Sequence, residues 1–182
     1  LSDRRFKIKV FKAARLHRDR KGHMDGSNWV GFLVFFALNF ATACSGAVFT
    51  PGAWYESLAK PWWRPPNWLF APAWSVLYLL IAISGFLVWR DVGLSGAIGP
   101  LALYVGSLML NAAWSGIFFG MKRPDLAFYE LIALWLSIAA MIVVFMPLQQ
   151  TAAWLLVPYL AWVTFAGALN FAIWRLNKAA LA

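Results

Sequence analysis

The chain has 182 residues, 62% of them apolar and only 13% charged, and its mean hydropathy is positive. That leaves too little charge to coat a soluble domain of this size, which excludes that class and makes the bilayer the expected solvent. The net charge of +9 does not argue for a nucleic-acid partner: nine of the sixteen Lys and Arg residues precede Met24, and the remainder nearly balances the acidic residues.

Residues 1–23 form a basic stretch with no clean amphipathic period. Met24 is expected to be the working start. On that reading 1–23 is an extension outside the fold; the alternative is a basic arm touching anionic lipid headgroups. From there to residue 178 the sequence predicts one transmembrane domain of five helices, an all-α up-down bundle. A helix rises about 1.5 Å per residue, so roughly 20 apolar residues cross a bilayer core while satisfying their own backbone polar groups. The first span is expected over 29–49, stopped by Thr50-Pro51-Gly52. A Trp- and Pro-rich loop follows (51–67). The second span is expected over 68–89, with Pro72 tolerable in its first turn. Arg90, Asp91 and Gly93 then make a short polar turn. The third span is placed at 97–119, the fourth at 126–146 and the fifth at 152–174, where Pro158 either bends the helix or marks its first turns. Connections this short make consecutive helices antiparallel neighbours. Counting basic residues from Met24 places the first loop and the C-terminus in the cytoplasm; counting residues 1–23 reverses that orientation.

The chemistry available inside the spans is narrow. Cys44 is the single cysteine, so no intrachain disulfide forms. Both histidines, His17 and His23, lie in the basic stretch. The body therefore has no imidazole for zinc, for haem iron or for a Ser-His-Asp triad. Glu130 and Asp125 fall in the first turns of the fourth span, where Glu130 is expected to snorkel to the interface, and no acid sits at a helix centre. That argues against ion transport. No metal site, required cofactor or catalytic residue is expected.

Twelve tryptophans are several times the usual share. Trp29, Trp68, Trp89, Trp154 and Trp174 fall at helix ends and read as an interfacial belt. Trp74, Trp114, Trp135 and Trp162 lie deeper; they either pack between helices or line a pocket for a flat apolar ligand. Asn39, Asn111 and Asn170 are deep amides that must turn inward, to each other, to backbone or to a ligand. Ala112, Gly116 and Gly120 form a small-residue stripe, suited to a neighbouring helix or to a homodimer.

The first loop carries more specific information. The run Trp54-Tyr55, Leu58, Lys60-Pro61, Trp63, Pro65-Pro66, Trp68, with Pro72, Trp74 and Leu77-Tyr78 after it, closely resembles the translocator protein family. That family is also known as the tryptophan-rich sensory proteins or peripheral-type benzodiazepine receptors. The likeness continues through Leu108, Asn111, Trp114 and Ile117-Phe118-Phe119-Gly120. It ends with Pro158-Tyr159-Leu160, Trp162, Phe165-Ala166, Leu169-Asn170 and Trp174-Arg175. The resemblance implies a five-helix bundle with a ligand cavity under the first loop, which acts as a lid. It also implies ligands such as protoporphyrin IX, sterols and synthetic isoquinoline carboxamides or benzodiazepines. Carried over by position, the binding residues are Cys44 and Ala47 from the first span, and Phe70, Ala71, Trp74 and Tyr78 from the second. Asn111 and Trp114 come from the third, Trp162, Phe165, Ala166 and Leu169 from the fifth, and Trp63, Pro65 and Pro66 from the lid. Two positions depart from the family pattern. Ser107 stands where many members have Gln, and Phe171 stands where the proposed sterol motif needs Tyr, so cholesterol is not expected on that pattern.

The expected function is an integral, multi-pass membrane receptor or sensor that binds a porphyrin and other planar apolar molecules, to sense them, buffer them or pass them across the bilayer. A flat macrocycle buries apolar area worth roughly 25 cal/mol per Å² before binding costs. Its propionates need rim cations, for which Lys60 and Arg64 are the candidates and Arg175 a weaker one. Without body histidines, an iron-free porphyrin or a haem held without imidazole is favoured. The alternatives are an enzyme that degrades porphyrin with light and oxygen, and a scaffold with an incidental cavity.

Overall fold

The structure, a computed structural model, describes residues 26–49 and 52–180. The basic stretch 1–23, Pro51 and the side chain of Ala47 lie outside the described residues. Among those described, helix is the only regular structure. The elements are α1 (Gly26–Val48), α2 (Ala53–Ser57), α3 (Phe70–Ser115), α4 (Pro124–Phe145), α5 (Gln150–Leu155) and α6 (Val157–Leu176).

Among the described residues four segments are long and apolar enough to cross a membrane, and one of them, Asn67–Gly120, has 54 residues. Straight, it would run about 80 Å, far more than one crossing needs. It does not run straight. Gly93 has φ 70° and ψ 176°, a conformation that only glycine adopts readily, and the chain reverses there. The reversal is fixed by the Tyr78 hydroxyl on the first limb, which donates to Asn111 Oδ1 on the second over 2.6 Å. Residues 70–92 and 94–115 are therefore the second and third spans, and the described residues form a bundle of five.

The predicted turn at Arg90, Asp91 and Gly93 is thus tighter than expected. Helical bonding continues through Arg90 and Asp91, and one residue makes the reversal. Arg90 Nε donates to Asp91 Oδ1, and Gln149 Nε2 donates to Asp91 Oδ2 at 3.3 Å, tying this turn to the one between the fourth and fifth spans. The fifth span is interrupted near Pro158, where the sequence predicts either a bend or the helix's first turns. α5 ends at Leu155 and α6 starts at Val157, because Pro158 has no N–H to offer the carbonyl of Trp154.

At the loop end of the third span the helix widens into a π turn, Gly116–Gly120. The small-residue stripe lies here, and Phe49 of the first span lies over it. A Cβ on Gly120 would approach the Phe49 ring to 3.0 Å, and one on Gly116 to 3.5 Å.

The two halves of the bundle pack differently. Away from the first loop, around the turns at Gly93 and Gln149, the interior is solid: Ala82, Val88, Ala97, Ile138, Met141, Phe145 and Leu156 are completely or almost completely buried. Ser84 Oγ, also buried, donates to the Ala152 carbonyl across this packing. Outward-facing rings and aliphatics such as Trp29, Val30, Leu33, Val143 and Trp154 are exposed, as lipid-facing positions should be. The half beneath the first loop is hollow.

Candidate ligand cavity

The hollow is a cavity of about 750 Å³ between the first, second, third and fifth spans, with part of its wall from the fourth. From α1 it takes Phe36, Asn39, Phe40, Ala43 and Gly46, a single helical face at i, i+3, i+4 spacing. Leu131 and Leu134 of α4 close it behind. The π turn contributes Phe118 and Phe119, and α2 contributes Tyr55. Tyr55 packs edge-on against both of those rings, at 6.1 and 5.5 Å, which fastens α2 to the third span.

Polar groups in the walls are placed by hydrogen bonds between spans. Asn111 is the centre of one network: it accepts from Tyr78 Oη at 2.6 Å and donates through Nδ2 to Tyr159 Oη at 2.8 Å, joining the second, third and fifth spans. Trp114 Nε1 donates to Asn170 Oδ1 at 3.3 Å, and Asn170 Nδ2 donates to the Pro124 carbonyl at 2.6 Å. Asn39 Nδ2 donates to the Phe35 carbonyl at 2.8 Å and to the Tyr104 hydroxyl. All three deep amides are therefore held by the protein itself. Asn39 Oδ1 and the Ser107 hydroxyl are buried and have no protein partner among the described residues.

The first loop is latched over the cavity. Ala59 N donates to Asn177 Oδ1 and Asn177 Nδ2 donates to the Ala59 carbonyl, both at 2.9 Å, so the loop is tied to the end of the fifth span. Lys60 is already engaged: Nζ donates to the carbonyls of Glu56 and Leu58 and lies 4.7 Å from the Tyr55 ring centre. Arg64 also meets the wall: its Nη1 donates to Oδ1 of Asn67, a cavity residue. Arg175 lies against the Phe171 ring.

A profile of the TspO/MBR family matches residues 32–175, which span the cavity and its cover. Protein CrtK of Rhodobacter capsulatus is 43% identical over 151 residues, covering 80% of this chain and 92% of its own length. A tryptophan-rich sensory protein of Cereibacter sphaeroides is 42% identical over 150 residues (82% and 93%), and the translocator protein of Bos taurus is 38% identical over 155 (82% and 92%). The chain belongs to the TspO/MBR family.

Like other TspO/MBR proteins it is an integral membrane protein. Of the positions carried over from the family pattern, Phe70, Ala71, Trp74, Tyr78, Asn111, Trp114, Trp162, Ala166 and Leu169 come together around the cavity. Cys44 does not join them. It is exposed, one residue and about 100° around the helix from the lining Ala43. Phe165 lies in a separate groove on the outer face between the second and fifth spans. Trp63 packs edge-on against it at 5.9 Å, and Pro65 sits half-buried in the loop above. Trp135, one of the four deep indoles, also lies outside the cavity and donates to Thr164 Oγ1 at 2.8 Å. Glu130 does not snorkel to a polar partner: both carboxyl oxygens are buried and unpartnered among the described residues, because its helical position faces inward beside Leu131.

Lining residues missed in the sequence reading include Asn67, Tyr55, Phe118, Phe119, Leu131, Leu134 and Asn39's neighbours on α1. Phe118 and Phe119 had a signal, since they lie between the two glycines of the stripe. Nothing local marked Asn177 as the loop's anchor; its partner is 118 positions away.

Proposed function

We propose that this protein is a membrane receptor for a porphyrin of the protoporphyrin IX type, and for other planar apolar molecules, with the bound ligand as signal or as cargo passed across the bilayer. The observation that carries this reading is the cavity: about 750 Å³, walled by the Trp74, Trp114 and Trp162 indoles, with fixed polar groups and Arg64 near its loop end. Its size and its mostly apolar lining are those of a small-molecule site. A planar macrocycle would bury its faces against the indoles, and its carboxylates would face the loop, where Arg64 can pair with them. The names of the relatives, sensory and translocator proteins, agree with both roles.

The test is titration of protoporphyrin IX against the purified protein, read by tryptophan fluorescence. Saturable quenching is expected, weakened by Trp63→Ala, which removes a ring bracing the cover, and abolished by Ala166→Trp, which fills the cavity. Quenching that does not saturate, or that survives Ala166→Trp unchanged, refutes the reading. A second reading rests on Trp74 and Trp162, whose rings meet edge-on at 6.4 Å on the cavity wall. Two indoles beside a photosensitising porphyrin favour its light- and oxygen-dependent breakdown. A new chromophore under illumination in air, lost on Trp74→Phe or Trp162→Phe, would establish the enzyme.

A further inference from the structure

The outer groove between the second and fifth spans has a volume of about 660 Å³ and is lined almost entirely by apolar groups. It is hollow because small and ring-closed residues face each other across it: Pro72 and Ala73 on one side, Pro158 and Ala161 on the other. One side chain, Trp162, lines both this groove and the ligand cavity. The wall between bilayer and cavity is there a single indole thick.

That indole, like Trp74, lacks among the described residues the hydrogen bond that pins the other two deep ones. Trp114 and Trp135 donate to Asn170 and Thr164. Trp162 makes ring contacts only, with Phe70 at 5.9 Å, Trp74 at 6.4 Å and Phe165 at 5.7 Å, and among the described residues its N–H has no acceptor. It also sits one turn beyond the break at Leu156 and Pro158, where the helix lacks a backbone bond. The loop above is tied at one point to the end of the fifth span, through Ala59 and Asn177.

From this geometry we infer that the groove is a lateral portal and Trp162 its gate: an apolar ligand dissolved in the bilayer collects between the second and fifth spans and passes into the cavity when the indole swings aside. The inference rests on the ligand reading above. It makes a kinetic claim that the reading alone does not. A portal lies on the path and not in either end state, so obstructing it slows binding and release by the same factor and leaves the equilibrium unchanged.

Ala161 is exposed, lines the groove and does not line the cavity, so Ala161→Leu narrows the portal without touching the site. Ala168→Leu, at an exposed position lining neither, is the control. Protoporphyrin IX binding is followed by stopped-flow tryptophan quenching, and release by dilution, with each protein in lipid nanodiscs. Both rate constants of Ala161→Leu should fall by about fivefold or more, with Kd and the control unchanged. Unchanged rates at unchanged Kd overturn the portal and send the ligand through the loop or between the first and second spans. A weaker Kd with an unchanged association rate also overturns it, since the groove is then part of the site. No quenching in the unsubstituted protein overturns the ligand reading and this inference together.

Discussion

Asn111 offers the sharpest test of how the cavity is held open. Its side chain makes two inter-span hydrogen bonds, to Tyr78 and to the fully buried Tyr159. Asn111→Leu preserves volume and removes both. Inter-helix bonds in membrane proteins contribute about 0.6 kcal/mol each on average, so the lost bonds cost about 1 kcal/mol. Leaving the Tyr159 hydroxyl without a partner in an apolar interior adds about 1–3 kcal/mol. The expected destabilisation is about 2–4 kcal/mol, which is the sum of those two effects. A double-mutant cycle separates them. Tyr159→Phe alone strands the Asn111 amide, but in the Asn111→Leu background it removes the stranded hydroxyl and should be neutral or stabilising. The coupling should be about 1–2 kcal/mol, measured by reversible unfolding in mixed lipid–detergent micelles. Additive single-mutant costs would show that the two side chains do not interact, and the network would no longer explain the cavity wall.

Gly93→Ala should destabilise by about 1–3 kcal/mol in the same assay, because the backbone there is open only to glycine and no crowding confuses the result. Asn177→Ala should release the first loop, seen as faster amide exchange at Ala59 and faster proteolysis of the loop, with helical circular dichroism unchanged. Trp135→Phe should leave protoporphyrin IX affinity untouched, whereas Trp114→Phe should reduce it, since only the latter ring lines the cavity. Glu130→Gln should leave stability unchanged or raise it, because no partner is lost and a chargeable group leaves the span; a fall of more than about 1 kcal/mol would reveal a hidden partner.

The spans were legible because hydrocarbon leaves an apolar chain little choice but helix, and the length of each block sets its crossing. Exact ends were less legible, and the misses share a cause. At Gly93 the sequence shows a polar turn of several residues, but a glycine at positive φ reverses the chain alone. At Pro158 the proline's effect was foreseen, yet whether the helix bends or breaks depends on how its neighbours pack. Placing side chains around a helix was harder. Cys44 and Ala43 are adjacent in sequence, and which of them meets the cavity depends on a rotation that α1's apolar composition does not fix, because lipid and interior accept the same residues. Trp135 shows the same ambiguity: depth was readable, direction was not. The amides were more informative, since a deep Asn has few tolerable surroundings, and all three turned inward.

A bundle with a hollow half raises the question of what holds it together when empty. Lipid supplies no hydrophobic drive between helices, so the spans depend on close packing and on internal hydrogen bonds. Here the balance of the two differs between the halves of the bundle. Close packing is concentrated away from the loop, around Val88, Ala97, Met141 and Phe145, where Ser84 and Gln149 add bonds between spans. The loop half combines a smaller buried cluster, including Leu58, Phe118, Ala127 and Ile173, with directed contacts: Asn111 with two tyrosines, Asn170 with Trp114 and Pro124, and Asn177 with Ala59. Such contacts fix distances without filling space, which is what a cavity wall requires. A ligand that fills the hollow supplies the missing dispersion contacts and stabilises in proportion to RT ln(1 + [L]/Kd), about 2.7 kcal/mol at a hundredfold excess over Kd. The same ligand should therefore protect amides of the loop half from exchange far more than those around Gly93, which are already secured by packing.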